Sequence, residues 1–182
     1  MQLMEALIFL IRTLVGLYIA VLLLRLLFQL VRADFYNPVS QAIVKLTTPV
    51  IIPLRRVLPS IKRVDTATLV LAVIFQALLL VAILLLRGHG IPVVVLLLWT
   101  LLGILHRLLD IYTFALFLVV ILSWVAPHSR SPIASLAHQL TEPLLKPVRN
   151  AVPTVGGLDF SVMIVLLIIY VLGRFILPSV PI

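Results

Sequence analysis

Five near-continuous apolar runs, Leu14–Leu24, Leu69–Leu86, Ile91–Leu105, Ile111–Val125 and Val162–Leu172, alternate with short stretches rich in proline and basic residues. Runs of this length with almost no charge suit hydrocarbon rather than water. They predict an all-α membrane protein with four crossings, at about residues 3–31, 66–86, 106–125 and 160–177. Basic, proline-rich loops occupy 32–65 and 126–159. The stretch from Ile91 to Val125 is too long for one upright crossing. As a single helix it would span roughly 50 Å, against a hydrocarbon core of ~30 Å. Either it tilts and protrudes, or it bends near Gly103–Asp110 and leaves 91–105 at the interface.

Within each loop the period changes. Apolar residues recur at i, i+3, i+4 and i+7 as Val39, Ala42, Ile43, Leu46 and again as Ile133, Leu136, Ala137, Leu140. That spacing is one face of a short helix. Each helix opens on an N-cap residue followed by proline, Asn37-Pro38 or Ser131-Pro132. Each is expected to stop near Thr47 or Thr141, because Pro49 and Pro143 disfavour helical geometry in the residue before them. The expectation is an amphipathic helix on the inner membrane surface, with packing against the protein's own helices as the alternative. A rigid connector carrying Pro53, Arg55 and Pro59, or Pro147, Arg149 and Pro153, would follow it. Asp65 and Asp159 stand where N-caps of the next helix belong.

The two loops are versions of one another. A shift of 94 residues aligns Asn37–Asp65 with Ser131–Asp159 without a gap. Eight pairs are then identical: Pro38/Pro132, Leu46/Leu140, Thr47/Thr141, Pro49/Pro143, Pro53/Pro147, Arg55/Arg149, Pro59/Pro153 and Asp65/Asp159. Four of the eight are prolines, which fix φ and remove backbone donors, so the repeated element is a backbone shape. The chain therefore reads as a tandem duplication, residues 1–90 and 91–182, of a helix–loop–helix module. The same register pairs Tyr18 with Tyr112 and Arg12 with His106, so both first helices should begin with the same overlong start.

Composition agrees with the pattern: 63% of residues are hydrophobic and 11% charged, where soluble chains carry about a quarter charged. The net charge of +8 fits basic loops against anionic lipid rather than nucleic acid, with which no contact is expected. Arg32, Lys45, Arg55, Arg56, Lys62 and Arg63 in the first loop, with Arg130, Lys146 and Arg149 in the second, place both loops in the cytoplasm and both termini outside. The two repeats would then be parallel, unlike the inverted pair common in transporters. Cysteine is absent, which excludes disulfides and thiolate chemistry. The start MQLMEALIFL lacks a basic n-region and reads as a retained helix.

The motifs NP-x-S at Asn37–Ser40, T-x-P-x3-P-x-R in both loops, DFYNP at Asp34–Pro38 and GG-x-DFS at Gly156–Ser161 resemble those of the YggT family of small integral membrane proteins. The resemblance covers nearly the whole chain, although Lys62-Arg63 stands where the second loop has Gly156-Gly157. It implies a bacterial inner-membrane protein, with relatives linked to osmotic or potassium stress, cell division and, in plastids and cyanobacteria, assembly of b-type cytochrome haem. It implies no enzymatic reaction.

Catalytic chemistry has no visible constellation. His89, His106, His128 and His138 form no metal-ligand spacing, and Ser123 and Ser161 lack a partner arrangement for nucleophilic catalysis. No cofactor is expected; a b-type haem would need a second axial ligand beside His106. Arg12 and Arg25, roughly 20 Å apart along one helix, can snorkel to opposite interfaces. Arg107 and Asp110 share a helix face with His106 adjacent, either neutralising each other or forming an intramembrane polar element. The function expected is a non-enzymatic scaffold or assembly factor. Its repeated loop residues would be structural, or would hold a membrane-protein partner, a second copy or lipid headgroups. A channel or transport subunit is the alternative.

Overall fold

The computed structural model describes residues 2–61, 64–90, 92–125, 131–152 and 159–177. Their order is α1 (Gln2–Val31), α2 (Pro38–Arg55), α3 (Thr66–Leu86), α4 (Val93–Val125), α5 (Pro132–Ala151) and α6 (Phe160–Val171), the last running into a π-helical turn at Leu172–Ile176. Both halves thus run long helix, loop helix, apolar helix. Three helices, α1, α3 and α4, are long and apolar enough to cross a bilayer; the stretch Phe160–Phe175 is shorter. At ~1.5 Å per residue it reaches roughly 24 Å, below the ~30 Å of a hydrocarbon core.

Two boundaries differ from the expectation. Helix α4 is continuous from Val93 rather than starting near residue 106, so 93–125 form one overlong helix. Nothing in Val93–Leu105 breaks a helix except Gly103, and a single glycine costs only ~1 kcal/mol. The loop helices do not stop at the first proline either. Helix α2 passes through Pro49 and Pro53 and α5 through Pro143 and Pro147.

Burial gives the reason. Each proline removes one amide donor, leaving the carbonyl four residues earlier (Lys45 for Pro49, Gln139 for Pro143) without its helical partner, while threonine hydroxyls add bonds to neighbouring carbonyls of the preceding turn. Thr47 Oγ1 donates to the Ile43 carbonyl at 2.7 Å, Thr48 Oγ1 to Val44 at 2.6 Å and Thr141 Oγ1 to Ala137 at 2.9 Å. Spacing by four puts both prolines of a helix on one face, and all four are exposed. The packed face is left intact, so burial outweighs the preference of the pre-proline residue.

That packed face also differs in α2. Ser40, Ile43, Thr47 and Ile51 are buried there, whereas Ala42 and Leu46 are exposed. In α5 the expected residues Leu136, Ala137 and Leu140 are buried, with Ala134, Thr141 and Leu145. Both helices pack on the protein's own bundle, α2 against α1 and α3, α5 against α4, α6 and α1. One core joins Ile19, Leu22 and Leu23 of α1 to Leu71, Leu79 and Ile83 of α3, with Ile51 and Ile104. A second joins Leu116, Leu145, Val162 and Val165. Leu27, Ala115 and Leu140 form a third between the halves.

Candidate functional site

The repeated loop residues build a clamp. Asn37 accepts from the amide of Val39 at 2.9 Å and Ser131 from that of Ala134 at 3.2 Å, so each loop helix is capped as its sequence demands. At the far end Arg55 reaches Asp65: its Nη2 donates to Oδ2 and its Nε to Oδ1 at 3.4 Å. Asp65 in turn caps α3, accepting from the Thr68 amide at 3.4 Å and the Thr68 hydroxyl at 2.7 Å. Thr66 Oγ1 ties the connector back by donating to the Pro59 carbonyl at 2.8 Å.

The second half repeats this closure. Arg149 Nε donates to Asp159 Oδ2 at 3.0 Å, and Asp159 caps α6 through the Ser161 amide at 3.0 Å. Arg149 also pairs with Glu142 at 3.3 Å. Both arginines were expected to face lipid phosphate or a partner. Each pairs inside its own module with the Asp ten residues downstream, its side chain remaining 42% exposed at Arg55 and 40% at Arg149. Pro153, Lys62, Arg63, Arg130 and Gly156-Gly157 lie outside the described residues.

Burial by itself would raise the Asp65 carboxyl; hydrogen bonds from Arg55 and Thr68 outweigh it and hold Asp65 below the usual carboxylate range. At Asp159 burial again pushes upward, and Ser161 with Arg149 wins. A folded carboxyl that is depressed contributes stability above its unfolded value near 3.9 and loses it as pH falls through the folded value. Thermal midpoints in detergent should accordingly hold from pH 7 to about 5 and drop below about 4. An Asp65→Asn variant should show a smaller acid drop, and an unchanged one would contradict the clamp.

Arg25 was read as snorkelling, and the structure corrects this. It is buried where α1 meets α2, donating to Thr47 Oγ1 at 2.6 Å, Thr48 Oγ1 at 3.1 Å and the Val44 carbonyl at 3.3 Å. It thereby ties α1 to the turn of α2 just ahead of Pro49. Its counterpart in the second half is Val119, so this tie belongs to the first half alone.

His106, Arg107 and Asp110 do share one place: a cleft of about 840 Å³ between α1, α3, α4 and the end of α6, also lined by Arg12, Gly16, Gln76, Gly103 and Arg174. Arg107 and Asp110 do not close an ion pair with each other, since the ion pairs among the described residues are those of Arg55 and Arg149. The Arg107 side chain turns instead across the bundle. Its Nε donates to Gln76 Oε1 at 2.9 Å and its Nη1 to the Gly16 carbonyl at 3.3 Å. Both glycines leave the space these side chains occupy. A Cβ on Gly16 would stand 2.8 Å from Arg107 Nη1, and one on Gly103 2.3 Å from Gln76 Nε2.

His106 Nδ1 lies 2.9 Å from the Leu102 carbonyl. Among the described residues no set of three or more His, Asp or Glu could hold a metal ion. Gln76, missed by the sequence reading, was visible as the one polar side chain in the middle of α3. Its Nε2 is buried without a partner, as is the Tyr18 hydroxyl.

An all-helical fold with three bilayer-length apolar helices, two clamped loop helices and a polar cleft among them defines a membrane protein. The CCB3/YggT family profile matches residues 4–86 and again residues 98–180, two stretches displaced by the same 94 residues as the loops. A Pseudomonas aeruginosa protein named only as uncharacterised is 45% identical over 158 residues, 86% of this chain and 80% of its own length. Escherichia coli YggT, likewise named as uncharacterised, is 42% identical over 173 residues, 93% of this chain and 88% of its own. A Vibrio alginolyticus protein is 44% identical over 88% of each chain. The chain belongs to the CCB3/YggT family. No solved structure matches it.

Proposed function

We propose that this chain is a non-enzymatic scaffold or assembly factor of the bacterial inner membrane, a tandem pair of helix–loop–helix modules crossing four times. The observation that carries the reading is the paired clamp. The residues shared by the two loops spend their chemistry on fixing α2 and α5 rigidly, not on building a reactive centre. The positive-inside bias puts that end of the bundle in the cytoplasm and the termini in the periplasm. There α5 presents Ser135, His138, Glu142, Lys146 and Asn150, all exposed, as a fixed polar surface for a membrane-complex partner. Osmotic stress, cell division or complex biogenesis are the settings the family resemblance implies. Photocrosslinkers at His138 and Lys146 should capture one and the same protein in near-stoichiometric amount. Capture no different from that at Leu78 on α3 would contradict the reading.

The cleft favours a second reading, a channel or transport subunit, because ionisable side chains inside a bilayer are costly and mark ion or substrate routes. On that reading purified protein in liposomes carries an ion flux that Arg107→Gln reduces at least tenfold. Flux absent from wild type, or equal in the variant, removes it.

A further inference from the structure

The third core joins the halves: Leu140 of α5 packs with Leu27 of α1 and Ala115 of α4, flanked by Leu24, Phe28, Val31, Leu108, Ile111 and Tyr112. The 94-residue register gives each of these a counterpart. Leu140, Leu108 and Ile111 in the second half correspond to Leu46, Leu14 and Leu17 in the first. Leu27 and Val31 of the first half correspond to Ile121 and Val125 of the second. Leu27 is 6% exposed and Leu140 2%, whereas their counterparts Ile121 and Leu46 are 54% and 64% exposed. Leu14, Leu17 and Val125 are exposed as well.

The chain thus contains one copy of a contact between modules, and both of its halves a second time, unpaired. The face of α1 and α2 carrying Leu14, Leu17 and Leu46 is built like the surface that, in the second half, receives the end of α1. The end of α4 carrying Ile121 and Val125 is built like that end of α1. Within one molecule these two surfaces are not packed on each other: Leu14, Leu17, Leu46, Ile121 and Val125 are all exposed, Leu17 at the rim of the cleft.

We infer that these surfaces meet between two copies of this chain, α2 and α1 of each receiving the end of α4 of the other. The angles agree. At ~100° per residue the face of α4 around Leu108, Ile111, Tyr112 and Ala115 and the face around Leu118, Ile121, Leu122 and Val125 lie roughly 80° apart. By equivalence the same holds on α1. That is close to the right angle needed to arrange α1 and α4 of one copy and α1 and α4 of the other as a closed ring of four. Such a pair has two-fold symmetry and leaves no repeat end open. The occupant is a second copy, rather than lipid alone, because the chain already shows what covers this face when a neighbouring module is present. The inference rests on the inter-module contact and stands apart from the scaffold reading.

The protein has no cysteine, so a Leu46→Cys/Ile121→Cys variant in native membranes tests it directly. Mild oxidation should give a product that stops at two chains. Two differently tagged copies carrying Leu46→Cys and Ile121→Cys singly should crosslink at least tenfold more than Leu46→Cys with Leu78→Cys, a residue exposed on α3. Crosslinking no better than that control, at equal membrane levels, overturns the pairing and leaves lipid as the occupant. A ladder beyond two chains overturns the closed ring.

Discussion

Arg25→Met should release the first loop helix while leaving the three long helices in place. The substitution keeps an apolar stem but removes the donors to Thr47, Thr48 and the Val44 carbonyl. Hydrogen bonds from a charged donor contribute about 1.5–3 kcal/mol each when a buried acceptor depends on them. Thr47 and Thr48 keep their bonds to Ile43 and Val44, so part of the loss is recovered, and about 2–4 kcal/mol is expected. The change should be local because the remaining anchors of α2 hold its two ends and its apolar face: Asn37 Nδ2 on the Pro132 carbonyl at 2.8 Å, Ile43, Ile51 and Leu54, and the Arg55–Asp65 pair. Limited proteolysis in membranes should cut between residues 32 and 65 at least tenfold faster than in wild type, with 126–159 unchanged. Equal protection of both loops would show that Arg25 is incidental.

Gly103→Ala should break the intramembrane node. The new methyl would stand 2.3 Å from Gln76 Nε2 and 2.9 Å from its Cδ, so the amide must swing away from Arg107. Gln76 is buried, and the open space beside it is the cleft, so the amide relieves the clash only by giving up its place on Arg107. The clash and the lost Arg107–Gln76 bond together should cost about 2–3 kcal/mol. Gly103→Ala with Gln76→Ala should be more stable than Gly103→Ala alone, because the second change removes the group that is struck. That non-additivity is the signature of direct contact; strictly additive thermal shifts would contradict it.

The apolar runs and helix signals made much of the architecture legible. The limits of α1 and α3 follow from the runs Leu14–Leu24 and Leu69–Leu86 with their flanks. The caps at Asn37, Asp65, Ser131 and Asp159 follow from local side-chain chemistry, which needs no tertiary partner. The loop helices were harder, because Pro49 and Pro143 argue locally for a stop and are overridden by burial on the opposite face. Arg55 and Arg149 were legible as a repeated element, structural or binding, but their partners were not named. The same ten-residue separation from Asp65 and Asp159 in both halves was the available sign that each arginine answers its own aspartate. Arg25 and Gln76 carried no such sign, since neither is repeated in the other half. Their partners, Thr47 and Arg107, are brought to them only by packing between helices.

If the clamped loop helices are a platform for assembly, unclamping both should cost the protein its partner. The direct measurement is a crosslinked native pull-down from membranes, read by quantitative mass spectrometry. It would compare wild type with the Arg55→Ala/Arg149→Ala double variant at equal membrane levels. A stoichiometric protein other than the chain itself, retained by wild type and depleted at least tenfold in the variant, is the result predicted. The same co-purifying set in both samples, or none in either, would contradict the scaffold reading.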